Sequence, residues 1–371
     1  MKIALVLAGP YPDLRGSQVL VRQLADGIRG RGHAVHLVTW GAGRGIAPGP
    51  RATRLVRDLG LVARLWRTVR ATGIDVIHAH NYEGAIAGLA VGRLMGRPVV
   101  YHGHTALAEE LPTYFGAAGA RRIARRIGRA LDASVPRRAD FCIAVTEELG
   151  DLLRRRGVAE AGLACITPAA APADTASSAA RAGASGLVCY AGNLDGYQNL
   201  AFLLRTFARV RARVPQARLV LVTHAAPAGP GVAAGEGVEV VRAASYDEVR
   251  ALLDAADVAV CPRVERSGFP MKLLNYMAAG KAIVALAGSA KGLRDGVTAR
   301  VVTDGDEVGF AAAVADLLVD DGERRRLGEA ARCAVEDRAA WETVLDRIEG
   351  IYRRVLARRT APAQVPLLAE R

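Results

Sequence analysis

The strongest constraint on this chain is a rhythm. Short apolar runs rich in Val, Ile, Leu and Ala recur along most of its 371 residues, and amphipathic stretches separate them. Residues 3–7, 35–39, 76–79, 99–101 and 142–145 read as buried strands, and residues 17–29 and 53–70 as helices. Ser17 is placed to cap the first helix, and Leu20, Val21, Leu24 and Ile28 fall on one of its faces. Strands that alternate with helices predict a parallel sheet covered on both sides. Residues 169–186 interrupt the rhythm with Ala, Ser, Pro and Gly, and then the pattern restarts. Strands are expected at 187–191, 218–223, 257–261 and 282–286, a helix at 200–210, and mostly helix over 307–358.

The chain therefore reads as α/β with two domains, 1–168 and 187–340, joined by a linker at 169–186. A helix at 341–358 follows, then a fraying tail at 359–371. Two open α/β domains meeting at a cleft place strand ends, loops and helix starts there, where ligands bind in such sheets.

Charge narrows the partners. Lys plus Arg number 50 and Asp plus Glu 37, a net charge of +13, which favours nucleotides, phospholipid surfaces or nucleic acid. Nucleic acid is set aside, because aromatics are only 5% and no recognition motif is present. The five cysteines (Cys142, Cys165, Cys189, Cys261 and Cys333) form no Cys-x-x-Cys pair and read as small buried residues of a reduced cytoplasmic protein. The first eight residues read as a strand rather than a signal peptide, and no run of about 18 apolar residues predicts a membrane span.

Four segments carry chemistry. Residues 8–17 follow the first strand without a Gly-x-Gly-x-x-Gly pattern, which argues against a nicotinamide dinucleotide; Gly16 would allow a phosphate close to the backbone, or is an ordinary turn glycine. His78, His80, His102 and His104 end two neighbouring strands. They suit hydrogen bonding to sugar hydroxyls, proton exchange, or a structural role in the cleft wall; no carboxylate joins them at ligand spacing, so no metal is expected. Residues 191–200 follow a strand and offer Gly192, Asn193, Asp195 and Gln198. In residues 266–285, a Gly-Phe-Pro turn precedes a helix with Lys272 in its first turn. A cation there opposes the helix dipole unless an anion binds beside it.

In this order, the motifs resemble the retaining glycosyltransferases of family four, which have the GT-B fold of two Rossmann-like domains with parallel sheets facing across a cleft. The resemblance rests on Gly32-His33-Ala-Val35, Asp75-Val-Ile-His-Ala-His80, His104, Gly268-Phe269 and Met277-Ala-Ala-Gly280. Trp341 and Ile351-Tyr352 match the late helix that crosses back to the first domain. The resemblance implies a nucleotide-sugar donor in the second domain, a hydroxyl acceptor in the first and His104 as the catalytic residue. It implies no metal and no cofactor apart from the donor itself. The donor site would comprise Gly16, Asn193, Gln198, Ser267, Gly268, Phe269, Lys272, Leu273 and Asn275. Ser245 to Glu248 and the loop 224–231 would line the base pocket.

The chain departs from that pattern at four charged positions. Asn193 and Gln198 stand where the family shows Arg and Lys, and Ser267 and Asn275 where it shows two Glu. Lys272 is the expected replacement cation, with Arg263 and Arg266 as further candidates, and Glu265 is offset from the first Glu position. The arginine-dense segments 121–129 and 51–70 suit an anionic membrane surface and a lipid-linked acceptor, or are solvated helix faces. The expected setting is polysaccharide, glycolipid or glycoconjugate synthesis in the cytoplasm, at the inner face of the membrane if the basic segments bind lipid. A sugar-nucleotide epimerase and a non-catalytic partner of an active transferase remain the alternatives.

Overall fold

The computed structural model describes residues 1–12, 16–42, 52–170, 186–223, 235–264, 268–336 and 338–360. Strands β1 (Lys2–Leu7), β2 (Ala34–Val38), β3 (Val76–His80), β4 (Val99–Gly103), β5 (Phe141–Ala144) and β6 (Leu163–Cys165) form one sheet. Its order is β2-β1-β3-β4-β5-β6, and every pair is parallel. The helices of this half are α1 (Gly16–Gly30), α2 (Ala52–Thr72), α3 (Asn81–Met95), α4 (Leu107–Glu110), α5 (Ala118–Ser134) and α6 (Glu147–Arg155).

The second half repeats the plan. Strands β7 (Leu187–Ala191), β8 (Arg218–Thr223), β9 (Val238–Arg242), β10 (Val258–Cys261), β11 (Ala282–Leu286) and β12 (Arg300–Val302) form a parallel sheet in the order β12-β11-β10-β7-β8-β9. Helices α7 (Leu200–Arg213), α8 (Tyr246–Ala255), α9 (Lys272–Ala278), α10 (Glu307–Val319), α11 (Asp321–Val335) and α12 (Arg338–Thr360) accompany it.

The central strands form where the sequence is continuously apolar. Every residue of β3, β4, β5 and β11 is buried, as sheets covered by helices on both faces require. Three strands escape the sequence reading: β6, β9 and β12. All three lie at sheet edges and are partly exposed, so they lack the long apolar run that marks a central strand. The helical stretch after residue 307 is three helices, with Asp306 and Asp320 capping α10 and α11. The cysteines also need correction. Cys142, Cys189 and Cys261 are buried, but Cys165 is partly exposed and Cys333 faces solvent from α11.

Helix α12 belongs to the first core. Trp341, Leu345, Ile348 and Tyr352 pack among residues of β1, α1 and β3. Arg31 at the end of α1 clasps it through Asp346 at 2.6 Å and through Glu342. In each sheet the chain starts near the middle and grows outward in both directions. The two switch points, β1/β3 and β7/β10, open crevices at the carboxyl ends of their strands.

Candidate active site

A cavity of about 840 Å³ lies where those crevices meet. Gly16 opens α1 on one side of it and faces Met271 on the other; a Cβ on Gly16 would sit 3.2 Å from the Met271 Cγ. The walls differ in chemistry.

The first wall is built on histidine. His80 and His102 are register partners on β3 and β4, and His104 stands just past the end of β4. The loop behind His104 is fixed by Asp132 of α5, whose carboxylate accepts from the backbone N–H groups of Leu107 (2.9 Å) and Ala108 (3.1 Å) and from the Tyr82 hydroxyl. The four imidazoles form two hydrogen-bonded pairs. His78 Nε2 and His102 Nδ1 are 3.0 Å apart, and His80 Nδ1 and His104 Nε2 are also 3.0 Å apart. Tyr352 of α12 closes the first pair at 2.6 Å from His78 Nδ1.

Burial keeps all four rings neutral. It drives His78 down to about 3 and His104 down to about 4, and holds His80 and His102 well below the usual imidazole value, with the neighbouring imidazoles adding to the effect on His78, His80 and His102. At neutral pH this wall offers donors and acceptors, not charge. Nitrogens of His78, His80 and His102 come within 4.8 Å of one another, close enough to raise the question of an ion. Yet these three rings are stacked, with interplanar angles of 7°, 22° and 29°. His78 Nε2 and His102 Nδ1 are already paired with each other, and His80 Nδ1 with His104 Nε2, so an ion there would have to displace those hydrogen bonds.

The second wall is built on a cation. Lys272, the first residue of α9, lays its ammonium 3.8 Å from the centre of the Tyr190 ring and donates to Gln198 Oε1 at 2.8 Å. Gln198 in turn donates to Asn193 Oδ1 (2.8 Å), and Asn193 to the Tyr197 hydroxyl (2.8 Å). The Tyr190 hydroxyl ties down the Asn193 carbonyl at 2.6 Å. Asn193 and Gln198 thus act as a scaffold that aims Lys272 into the space after β7. Glycine makes room for it: a Cβ on Gly192 would lie 3.0 Å from the Lys272 Nζ. A second cation, Arg263, follows β10 with its guanidinium 5.2 Å from the centre of the Tyr197 ring. Gly268 admits it, since a Cβ there would collide with that guanidinium and sit 3.1 Å from the His104 carbonyl oxygen.

Of the residues expected at the donor site, Gly16, Asn193, Gln198, Phe269, Lys272 and Asn275 line the cavity together with His104, and Gly268 sits between Arg263 and His104. Asn275 accepts from the Tyr246 hydroxyl at 3.2 Å. Leu273 is a correction. It is fully buried in the core beneath α9, because one helical step turns it away from the cleft that Lys272 faces. The start of α9 offers fewer free N–H groups than an anion site there would use. Helix α9 has seven residues, and its Leu273 and Leu274 N–H groups are already bonded to Pro270 and Met271 carbonyls. The Lys272 ammonium is the charged group that this end of α9 presents to the cavity. Ser245 and Glu248 are spent on capping α8, leaving Tyr246 to reach the cavity. Glu265, Arg266, Ser267 and the loop 224–231 lie outside the described residues.

Sequence reading missed Tyr190 and Tyr197, which look like ordinary strand and turn residues until the fold sets them under Lys272 and Arg263. It also missed Glu110 as a cleft residue. Glu110 accepts from the Tyr114 hydroxyl at 2.7 Å, and its pKa is pushed up by burial.

Two facing parallel sheets with polar walls at their switch points define the GT-B fold. Residues 14–173 match the model described as Glycosyltransferase Family 4, and residues 185–320 match that of Glycosyl transferases group 1. The chain belongs to the family-four glycosyltransferases. It is 28% identical over 386 residues to the phosphatidyl-myo-inositol mannosyltransferase of Mycobacterium tuberculosis, covering 96% of this chain and 97% of that one. It is 25% identical over 306 residues to the D-inositol 3-phosphate glycosyltransferase of Corynebacterium diphtheriae, covering 75% and 70%. Among solved structures it is similar to sucrose-phosphate synthase from Thermosynechococcus elongatus, with a TM-score of 0.79, 19% identity and coverage of 96% and 100%. Anabaena HepE in complex with UDP-glucose matches with a TM-score of 0.73, 17% identity and coverage of 95% and 100%.

Proposed function

We propose that this chain moves a glycosyl group from a nucleotide-sugar donor to a hydroxyl acceptor, with retention of anomeric configuration and without a metal. The observation that carries the reading is the Lys272 ammonium, held by Gln198 over Tyr190 at the β7/β10 switch point. Glycosyl transfer from such a donor concentrates negative charge on the departing diphosphate. A preorganised cation beside that charge lowers the barrier. Lys272, with Arg263 across the crevice, supplies it where the family's Arg and Lys are absent. His104, neutral and set in the opposite wall, contacts the transferred sugar. Retention follows the family resemblance.

The nucleotide reading draws support from similar folds solved with UDP and UDP-glucose. An apolar rim favours a lipid-linked acceptor. Leu55 and Ile86 line the cavity mouth yet are largely exposed, and nearby α5 exposes Ile123 and Ile127 among its arginines. Such a face suits an anionic membrane surface. Among the described residues no helix is long and apolar enough to cross a membrane.

Thermal shift with UDP, GDP and ADP should single out one nucleotide by a raised melting temperature. Release of that nucleoside diphosphate from its sugar conjugate, dependent on a hydroxyl acceptor and indifferent to EDTA, is the expected activity. Product NMR reads the anomeric outcome. No stabilisation by any nucleotide would sink the proposal. Donor conversion without an acceptor would replace it with an epimerase.

A further inference from the structure

The four imidazoles hold more information than their positions. A neutral histidine carries one ring proton, and the hydrogen bond at one nitrogen decides which nitrogen keeps it. His80 and His104 meet edge-on, with ring planes at 79° and His80 Nδ1 3.0 Å from His104 Nε2. One of those nitrogens must donate and the other accept, and the far nitrogens decide the direction. His80 Nε2 is buried and has no hydrogen-bond partner among the described residues. His104 Nδ1 is not among the buried unpartnered atoms, and His104 lines the cavity, so this nitrogen reaches the cleft.

If His104 were the donor, His80 would carry its proton on Nε2, a buried N–H with no acceptor. Orphaned buried donors are rare, and each leaves a desolvation penalty of roughly 1–3 kcal/mol. With the opposite direction, His80 keeps its proton on Nδ1 and gives it to His104 Nε2. Only a bare ring nitrogen then remains buried, against the faces of His78 and His102. The proton of His104 is forced onto Nδ1, facing the cleft. Among the described residues, the groups that act on His80 besides its burial are the imidazoles of His78, His102 and His104.

We propose that His80 is a positioning residue that fixes His104 in its Nδ1–H tautomer, so that His104 presents a hydrogen-bond donor, and not a base, to the transferred sugar. The consequence for catalysis rests on the transferase reading; the tautomer does not. In this arrangement His104 steadies a sugar oxygen and leaves the acceptor's proton to another group. Strand register makes the device stiff, because His80 and His102 are paired partners and His104 follows two residues later on the same chain.

The test uses the full chain labelled with ¹⁵N-histidine. Long-range ¹H–¹⁵N correlation spectra report the tautomer of each ring, with His104 assigned by its loss in His104→Gln. The wild type should show His104 protonated on Nδ1. His80→Phe keeps a ring of similar size but no donor, and His104 should then average between tautomers. His80→Asn returns an N–H near the old Nδ1 position and should restore the Nδ1–H signature. Nucleoside diphosphate release from UDP-glucose or GDP-mannose should fall about 10- to 100-fold in His80→Phe, as for other groups that fix a histidine's tautomer. His80→Asn should return it to within a few-fold of the wild type.

An Nε2–H tautomer in the wild type overturns the assignment. Equal losses in both variants, with the His104 signature unchanged, overturn the positioning role. The Nδ1–H signature in a protein that releases no nucleoside diphosphate from any donor supports the tautomer and sinks the transferase reading.

Discussion

The two walls of the cleft hold polar groups ready for substrate in opposite ways. The first wall gathers four neutral imidazoles, three stacked and His104 edge-on to His80, with burial suppressing charge on each. The second sets a lysine ammonium on an aromatic face and steers it with two neutral amides. The difference teaches where each wall is vulnerable. Neutral imidazoles in a dry wall stay in place only while they stay unprotonated. The lysine is bonded through Gln198, and its placement depends on side chains from separate segments.

The largest expected effect follows from the first wall. His78, His80 and His102 are buried, and each has its folded pKa depressed below the unfolded value near 6.5. Between those values the unfolded chain binds more protons than the folded one, so stability is fully present above about pH 6.5 and falls as pH drops. Three such groups together contribute about 4 kcal/mol per pH unit in that window. Asp58, Glu110 and Asp132 oppose part of this at lower pH, because their raised pKa values favour protonation in the folded state. Urea unfolding at pH 7.5, 6 and 5 should show a steep loss. Equal stability across that range would mean the imidazoles are not buried as pairs, and the contrast between the walls would collapse.

The second wall should break at one side chain. Lys272→Ala removes a charge-assisted contact, a loss of about 1.5–3 kcal/mol or roughly 10- to 150-fold in nucleoside diphosphate affinity. Folding stability should change little by comparison, since α9 stays anchored by Leu273, Tyr276 and Met277. A sharper version exchanges the partners: Gln198→Lys with Lys272→Gln returns a cation to the element where the family usually carries one. Recovery of part of the affinity would show that the position of the charge matters, and not the helix that bears it. Calorimetric titration with nucleoside diphosphate decides it, and unchanged affinity in Lys272→Ala would move the phosphate site elsewhere.

What was legible in the sequence follows the same physics. Central strands announce themselves because burial on both faces demands apolar residues, and the cleft residues at their ends come along with them. Edge strands β6, β9 and β12 are half-exposed, and β6 and β12 are only three residues long, so no such demand marks them. His104 and Lys272 could be singled out locally, one as a polar residue after a buried strand and one as a cation misplaced on its helix. Their partners could not. Gln198 is 74 residues from Lys272, and Tyr352 is 274 from His78; no spacing rule links such pairs before the fold does. Leu273 was within reach of a local argument. A helix turns about 100° per residue, so the neighbour of a cleft-facing lysine points into the core.

The smallest expected effect tests whether the histidine wall is one unit or two. Tyr352→Phe deletes the hydroxyl 2.6 Å from His78 Nδ1 and leaves that nitrogen without its partner in a fully buried site. The loss should be about 1–2 kcal/mol of stability. Tyr352 also packs edge-on against the His78 ring, and phenylalanine keeps that contact, so the loss reports the hydrogen bond rather than a cavity. The hydrogen bonds run from Tyr352 through His78 to His102 and stop there; the His80–His104 pair touches them only by ring contact. The cleft-facing tautomer and nucleoside diphosphate affinity should therefore be unchanged in Tyr352→Phe. A shift in either would show that ring contact alone carries the change from α12 to His104, and that the wall responds as one body.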